Sequence, residues 1–203
     1  EWYIDWDLEQ IPDLGLVDGE GRTIYQSSRE GRRIVLDANE WIIPRKSAAV
    51  RSFSIWQAFN EDTDYIACLD DDVLPSGPDH LRRLVQALET PVQSEWVGIG
   101  PQKQRGIPFD LPTRTVALHE GGWWNVPDLD APTQLAAGID PAYRTDRALG
   151  QMVVAPGQWL ALSAMHMIFR REFAPAMYQL LMGEGWPYHR FDDIWSGMFA
   201  KKV

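Results

Sequence analysis

One five-residue run limits what this chain can become. Tyr65-Ile66-Ala67-Cys68-Leu69 is continuous and apolar, and it stops on Asp70-Asp71-Asp72. A short apolar run without polar alternation reads as a buried strand of the parallel kind. Ahead of it, Pro44 can open a helix at its first turn, with Ala49, Phe53, Trp56 and Phe59 on one face. Behind it, Pro75-Ser76-Gly77-Pro78 forms a turn. A helix then buries Leu81, Leu84, Val85 and Leu88, and Trp96 to Ile99 is the next strand. Helix, strand, acidic turn, helix, strand is the order of an α/β sheet with helices packed on it.

The flanks are read more coarsely. Asp18-Gly19-Glu20-Gly21 is a turn. Gly100 to Gln134 is rich in Pro, Gly and Trp and lacks periodicity, and a long irregular segment of that kind is usually functional. Met152 to Ala155 and Met165 to Phe169 are expected strands, and Glu172 to Met182 an expected helix. Asp193 to Lys201 is the last helix, with Asp192 placed to cap it.

Composition bounds the function. At 203 residues we expect one domain over 1–203, incomplete at both ends, because the chain lacks an initiating Met and stops abruptly. A net charge of −10 disfavours nucleic acid as the main partner without excluding it, and Arg29, Arg32 and Arg33 read as a solvated face. Apolar runs such as Trp159 to Leu162 are far too short to span a bilayer. The single cysteine, Cys68, forbids an internal disulfide and reads as a structural thiol rather than a nucleophile. With no basic leader in Glu1 to Leu8, a cytoplasmic location is expected. Of the ten tryptophans, at least half are expected to fill the core, and the rest to offer flat faces to sugar rings or bases.

The acidic cluster carries the sharpest chemistry. Two carboxylates spaced as Asp70 and Asp72 supply hard oxygen ligands to Mn²⁺ or Mg²⁺, and the metal can bridge a diphosphate. A strand end is the right place for such a ligand in an open α/β sheet. The same spacing occurs at Asp5/Asp7, Asp62/Asp64 and Asp128/Asp130, so an acidic solvated turn is the competing reading. Asp192-Asp193 is likewise open between a helix cap and a catalytic or sugar-binding pair.

Three stretches resemble one family. Asn125-Val126-Pro127-Asp128-Leu129-Asp130-Ala131-Pro132-Thr133-Gln134-Leu135 follows Trp123 and is similar to a block of the reversibly glycosylated polypeptides, the UDP-arabinopyranose mutases. Pro175-Ala176-Met177-Tyr178 through Gly185, then Arg190 to Gly197, resembles a second block. Ser47-Ala48 with Arg51 and Phe53, followed by Asp70-Asp71-Asp72, resembles a third. The match is legible from about residue 40 onward. It implies a mixed sheet flanked by helices, like that of the A-type (Rossmann-like) glycosyltransferases, in a single nucleotide-sugar-binding domain.

The resemblance also implies a site. Arg105, in Arg105-Gly106-Ile107-Pro108-Phe109, matches the arginine that carries the sugar as a glycosyl adduct. Asp192 and Asp193 join it as catalytic candidates. Arg51, Asp70, Asp71 and His166 are nucleotide-sugar contacts, together with Trp123, Asn125, Asp128, Asp130 and Gln134. Asp70 and Asp72 are the metal ligands, Asp72 foremost, for Mn²⁺ or Mg²⁺. A protonated guanidinium is a poor nucleophile, so Arg105 needs a base nearby. Three places depart from the family. Its second arginine is Pro112, with Arg114 nearest; Ser163-Ala164-Met165-His166 replaces a Cys-Gly-Met-Asn; and His119-Glu120-Gly121 replaces a Ser-His-Gly.

The expected function is thus metal-dependent interconversion of pyranose and furanose UDP-sugars through a glycosyl-arginine enzyme. One alternative is an inverting transferase that passes sugar to a separate acceptor (a glycan, a protein or modified DNA), with Asp192 or Asp193 as general base. Another is an inactive homologue acting as a binding partner, and a homo- or hetero-oligomer is a further expected possibility for any of these readings.

Overall fold

The computed structural model describes residues 3–5, 25–27, 35–43, 49–61, 63–70, 73, 75, 77–92, 113–121, 131–137, 153–154, 157–179 and 191–203. Within them the chain is mixed α/β. Strands β1 (Tyr3–Asp5) and β2 (Tyr25–Ser27) pair in parallel. A 3-10 turn (Asp37–Ile42) precedes helix α1 (Val50–Asn60), strand β3 (Tyr65–Leu69) and helix α2 (His80–Glu89). Strand β4 (Leu118–Glu120), helix α3 (Ala131–Ala137), strand β5 (His166–Arg170), a second 3-10 turn (Arg171–Met177) and helix α4 (Asp192–Lys202) follow.

The second sheet runs β3-β5-β4, with β5 antiparallel to both neighbours. Register sets Leu69 opposite His166 and Glu120 opposite Met167. β3 therefore holds its predicted bounds but pairs antiparallel rather than in a parallel ladder. Its burial explains the difference: only Ile66 is buried, and Ala67 faces solvent. The strand covered on both faces is β5. Met167 and Phe169 enter one core with Ile55, Ile66, Leu162, Ala174 and Met177, while Ile168 enters another with Leu84 and Leu88. A continuous apolar run marks double burial, and here His166–Arg170 is the run that meets it.

Local chemistry shifts several expected bounds. α1 is described from Val50, while Pro44 lies outside the described residues. Its buried face is Ala49, Ser52, Phe53 and Ile55, and Trp56 is exposed. Ser52 is tolerated in the core because its Oγ accepts the Gln179 backbone N–H at 2.9 Å. α2 starts two residues beyond Pro78 and buries Leu84 and Leu88, leaving Leu81 exposed. The expected helix from Glu172 is a short 3-10 turn, in which Pro175 offers no N–H to an α-helical ladder. Val153 and Val154 lie outside any strand. The expected turn at 18–21 and strand at 96–99 lie outside the described residues.

α4 carries Asp192 and Asp193 in its first turn and Lys201 and Lys202 in its last, which suits the helix dipole at both ends. Asp192 is the first helical residue, not the cap. Phe191 holds that place in a left-handed conformation (φ 85°) and makes no side-chain cap. The four described tryptophans, Trp41, Trp56, Trp159 and Trp195, are all exposed, and the other six of the ten lie outside the described residues.

Helix α4 packs closely at Gly197. A Cβ there would stand 2.6 Å from Leu162 Cβ and 2.8 Å from both Leu160 O and Leu162 N. Alanine in a helix normally gains up to about 1 kcal/mol over glycine. Gly197→Ala is expected instead to destabilise by about 1–3 kcal/mol, because backbone atoms must move. Urea denaturation midpoints of the two proteins check this.

Candidate functional site

β3 and β4 run in the same direction on either side of β5, so their carboxyl ends reach one edge of the sheet, where β5 begins. That topology gathers Asp70, Glu120 and His166 at one edge. Asp70 is tied there by its own backbone N–H, which donates to Met165 O at 3.0 Å. Its carboxylate is ion-paired with the Arg51 guanidinium from α1. Arg51 and Asp70, expected as nucleotide-sugar contacts, are thus brought together. Cys68 is next to them, and burial pushes its thiol up to about 11, so it is no thiolate at neutral pH.

His166 has a partner outside the sequence-based set. Its Nε2 lies 3.0 Å from Nε2 of His80, the first residue of α2, and the rings stack at 4.8 Å. Gly121 makes room for this: its N–H donates to His166 O at 2.9 Å, and a Cβ would stand 1.8 Å from His166 Nδ1. Burial lowers the His166 pKa first, with His80 and His119 adding to it. Burial also lowers His80 and His119. The three rings form a neutral cluster around the end of β5.

Two carboxylates complete the edge. The Ser163 N–H donates to Glu120 Oε1 at 2.9 Å, and the Ala164 N–H to Asp193 Oδ2 at 3.2 Å. Asp193 Oδ1 also accepts from Ile194 N at 2.9 Å. Asp193 therefore clips α4 to the turn that feeds β5. Asp192 is buried in the first turn of α4, and its backbone carbonyl accepts from Ser196 Oγ at 3.2 Å. Of the expected catalytic pair, only Asp193 is partly open to solvent.

Other expected residues fall elsewhere. Asp71, Asp72, Arg105, Trp123, Asn125, Asp128 and Asp130 lie outside the described residues. Gln134 belongs to α3, whose backbone alone can be stated at that position. Among the described residues, no three His, Cys, Asp or Glu side chains are arranged to hold a metal ion. Asp70 supplies hard oxygen of the right kind, but one of its oxygens faces Arg51. A cavity of about 390 Å³, lined by Phe59, Thr63, Asp64, Tyr65, Arg170 and Arg171, sits at the opposite end of β3 and is remote from this chemistry. Motif matching overlooked His80 and Glu120. Period and spacing carry no signal for them, since each becomes a neighbour only through the sheet.

Among the described residues, no helix is long and apolar enough to cross a membrane. The family model described as reversibly glycosylated polypeptide matches residues 10–203, reaching 30 residues earlier than the motifs legible from about residue 40. A probable UDP-arabinopyranose mutase 2 of Solanum tuberosum is 34% identical over 220 residues, covering 98% of this chain and 56% of that protein. A probable UDP-arabinopyranose mutase 4 of Arabidopsis thaliana is 37% identical, covering 68% of this chain and 42% of that protein. The UDP-arabinopyranose mutase 1 of Oryza sativa subsp. japonica is 32% identical over the same shares. The chain spans about half the length of the curated relatives it matches.

The histidine cluster makes stability pH-dependent. Each ring's folded pKa is below its unfolded value of about 6.5. The stabilising contribution is therefore full above pH 6.5 and lost as pH falls through the folded values. The melting temperature is expected to drop on acidification from about pH 7 to 5. His166→Asn, which cannot take up the proton, is expected to lessen that drop in a thermal-melt series.

Proposed function

The chain belongs to the reversibly glycosylated polypeptide family, and from that premise we propose that it binds a UDP-sugar at this sheet edge and interconverts its pyranose and furanose rings. The observation that carries the proposal is the match over 98% of the chain to a relative named a probable UDP-arabinopyranose mutase. The edge itself supports it: Arg51–Asp70, His166 and Asp193 come from α1, β3, β5 and α4 and converge where β3 and β4 end. In this reading the fold is of the A-type glycosyltransferase kind.

The residues take the following roles. Asp70, oriented by Arg51, and His166 contact the nucleotide sugar, with Asp71 and the Trp123-to-Gln134 block. Asp72 would be the foremost ligand of a Mn²⁺ or Mg²⁺ ion, which would offer Lewis-acid charge compensation for a leaving diphosphate. Arg105 takes the sugar as a glycosyl adduct, and Asp193 accepts the proton that the guanidinium must lose. Asp192 is buried in the first turn of α4.

Incubation with radiolabelled UDP-arabinopyranose and Mn²⁺, followed by a denaturing gel, is expected to leave label on the protein, and Arg105→Ala to remove it. Product analysis is expected to find the furanose isomer. Transfer of label to an added glycan or protein, with no furanose formed, would favour the transferase alternative. Asp72→Asn is expected to cost at least about tenfold, or about 1.4 kcal/mol, in Mn²⁺-dependent UDP affinity by calorimetry. Metal-dependent affinity that survived this change would refute the metal role of Asp72.

A further inference from the structure

His80 joins the histidine cluster from a helix rather than from the sheet, and none of the roles above uses it. It is the first residue of α2, it is half-buried, and its Nε2 lies 3.0 Å from Nε2 of His166. Two imidazoles can make that contact only if one nitrogen carries a proton and the other a lone pair. A neutral ring has one nitrogen of each kind. What the far nitrogen of either ring is doing therefore fixes the direction of the bond.

His166 supplies the fixed point. Burial, then His80 and His119, lower its pKa, whereas its hydrogen bond to the Gly121 backbone raises it. A bond that favours the protonated ring is one in which the ring donates, so the acceptor is the Gly121 carbonyl. A Cβ on Gly121 would meet Nδ1 of His166 first, so Nδ1 is the nitrogen on that side and carries the proton. Nε2 of His166 is then the acceptor, and Nε2 of His80 the donor. Both nitrogens of His166 are thereby used within the protein. His80 keeps one in reserve: its Nδ1 holds a lone pair and makes no hydrogen bond among the described residues.

We infer that His80 is the hydrogen-bonding histidine of this sheet edge, its Nδ1 accepting from a hydroxyl group of the bound UDP-sugar while His166 orients the ring. The inference rests on the UDP-sugar reading. His166 then meets the ligand by packing alone, and the polar contact passes to His80. A lone pair selects among the parts of such a ligand. Diphosphate oxygens are acceptors and find no donor in it, whereas hydroxyl groups donate. The surroundings keep the lone pair in place. Burial lowers the His80 pKa first and the Arg83 charge, one turn along α2, lowers it further, so the ring is neutral at pH 7. The start of a helix also disfavours a cation. Stacking on His166, with ring centroids 4.8 Å apart, restrains the ring from turning.

Long-range nitrogen–proton NMR at about pH 8, where an ordinary imidazole is neutral, reads the tautomer of each ring without ligand. His166 is expected in the Nδ1–H form and His80 in the Nε2–H form. A His80 ring protonated on Nδ1 overturns the inference. Addition of UDP-arabinopyranose with Mg²⁺ is expected to shift the His80 Nδ1 resonance as a new hydrogen bond does. A shift with UDP alone places the hydroxyl on the nucleoside, and a shift only with the UDP-sugar places it on the sugar ring. By calorimetry, His80→Phe keeps a flat ring without an acceptor and is expected to weaken UDP-arabinopyranose binding about threefold to tenfold. His80→Gln, whose amide oxygen can accept, is expected to lose less. An unmoved His80 Nδ1 resonance in a protein that binds, or His80→Phe binding as tightly as the wild type, overturns the role of His80 and leaves the UDP-sugar reading standing. A wild-type chain that binds no UDP-sugar overturns that reading and the role of His80 with it.

Discussion

The hydrogen-bonded placement of β5 between β3 and β4 is the constraint on which the site depends. Because β5 is antiparallel to both, its neighbours point the same way and deliver their last residues to one edge. Asp70 and Glu120 come to that edge as strand ends, and His166 comes as a strand start. A one-residue slip of β5 would turn Met167 and Phe169 out of the core and His166 away from His80, so burial of those two side chains also holds the register of the chemistry. Core and site are thus coupled through one strand.

Charge is managed at this edge by pairing and by backbone amides. Arg51 neutralises Asp70 from a neighbouring helix. Asp193 lies in the first turn of α4, where the helix dipole favours an anion, and both of its oxygens accept backbone N–H groups. The histidines are kept uncharged by burial. Carboxylates and neutral rings held around a strand end suit the binding of a polar ligand and the movement of protons.

Two of the departures from the resembling motifs meet in the fold. The exchange of Ser-His-Gly for His119-Glu120-Gly121 reads in isolation as a displaced histidine. In the fold, the glutamate meets the Ser163 amide, the displaced histidine joins His80 and His166, and the glycine still supplies the space under the His166 ring. The change at Ser163-Ala164-Met165-His166 lies across the same contact, so the two departures face each other.

Strand β3 and the helices after Ala49 and Gly77 were legible from local apolar runs at strand or helix spacing, and the final helix from the acidic residues at its start. The family blocks were legible because their order is long and specific, and the aspartates after Leu69 were legible as a strand end. Pairing direction was not, since antiparallel and parallel ladders use the same apolar runs and differ only in which distant segment arrives. The same holds for His80 against His166 and Glu120 against Ser163. These pairs lie 86 and 43 residues apart, and a single chain read in order carries no record of which distant residues meet. Sequence alone determined the residue types and the aspartates that follow β3; the tertiary structure decided which carboxylates and histidines share that end, because only packing around β5 brings these distant segments together.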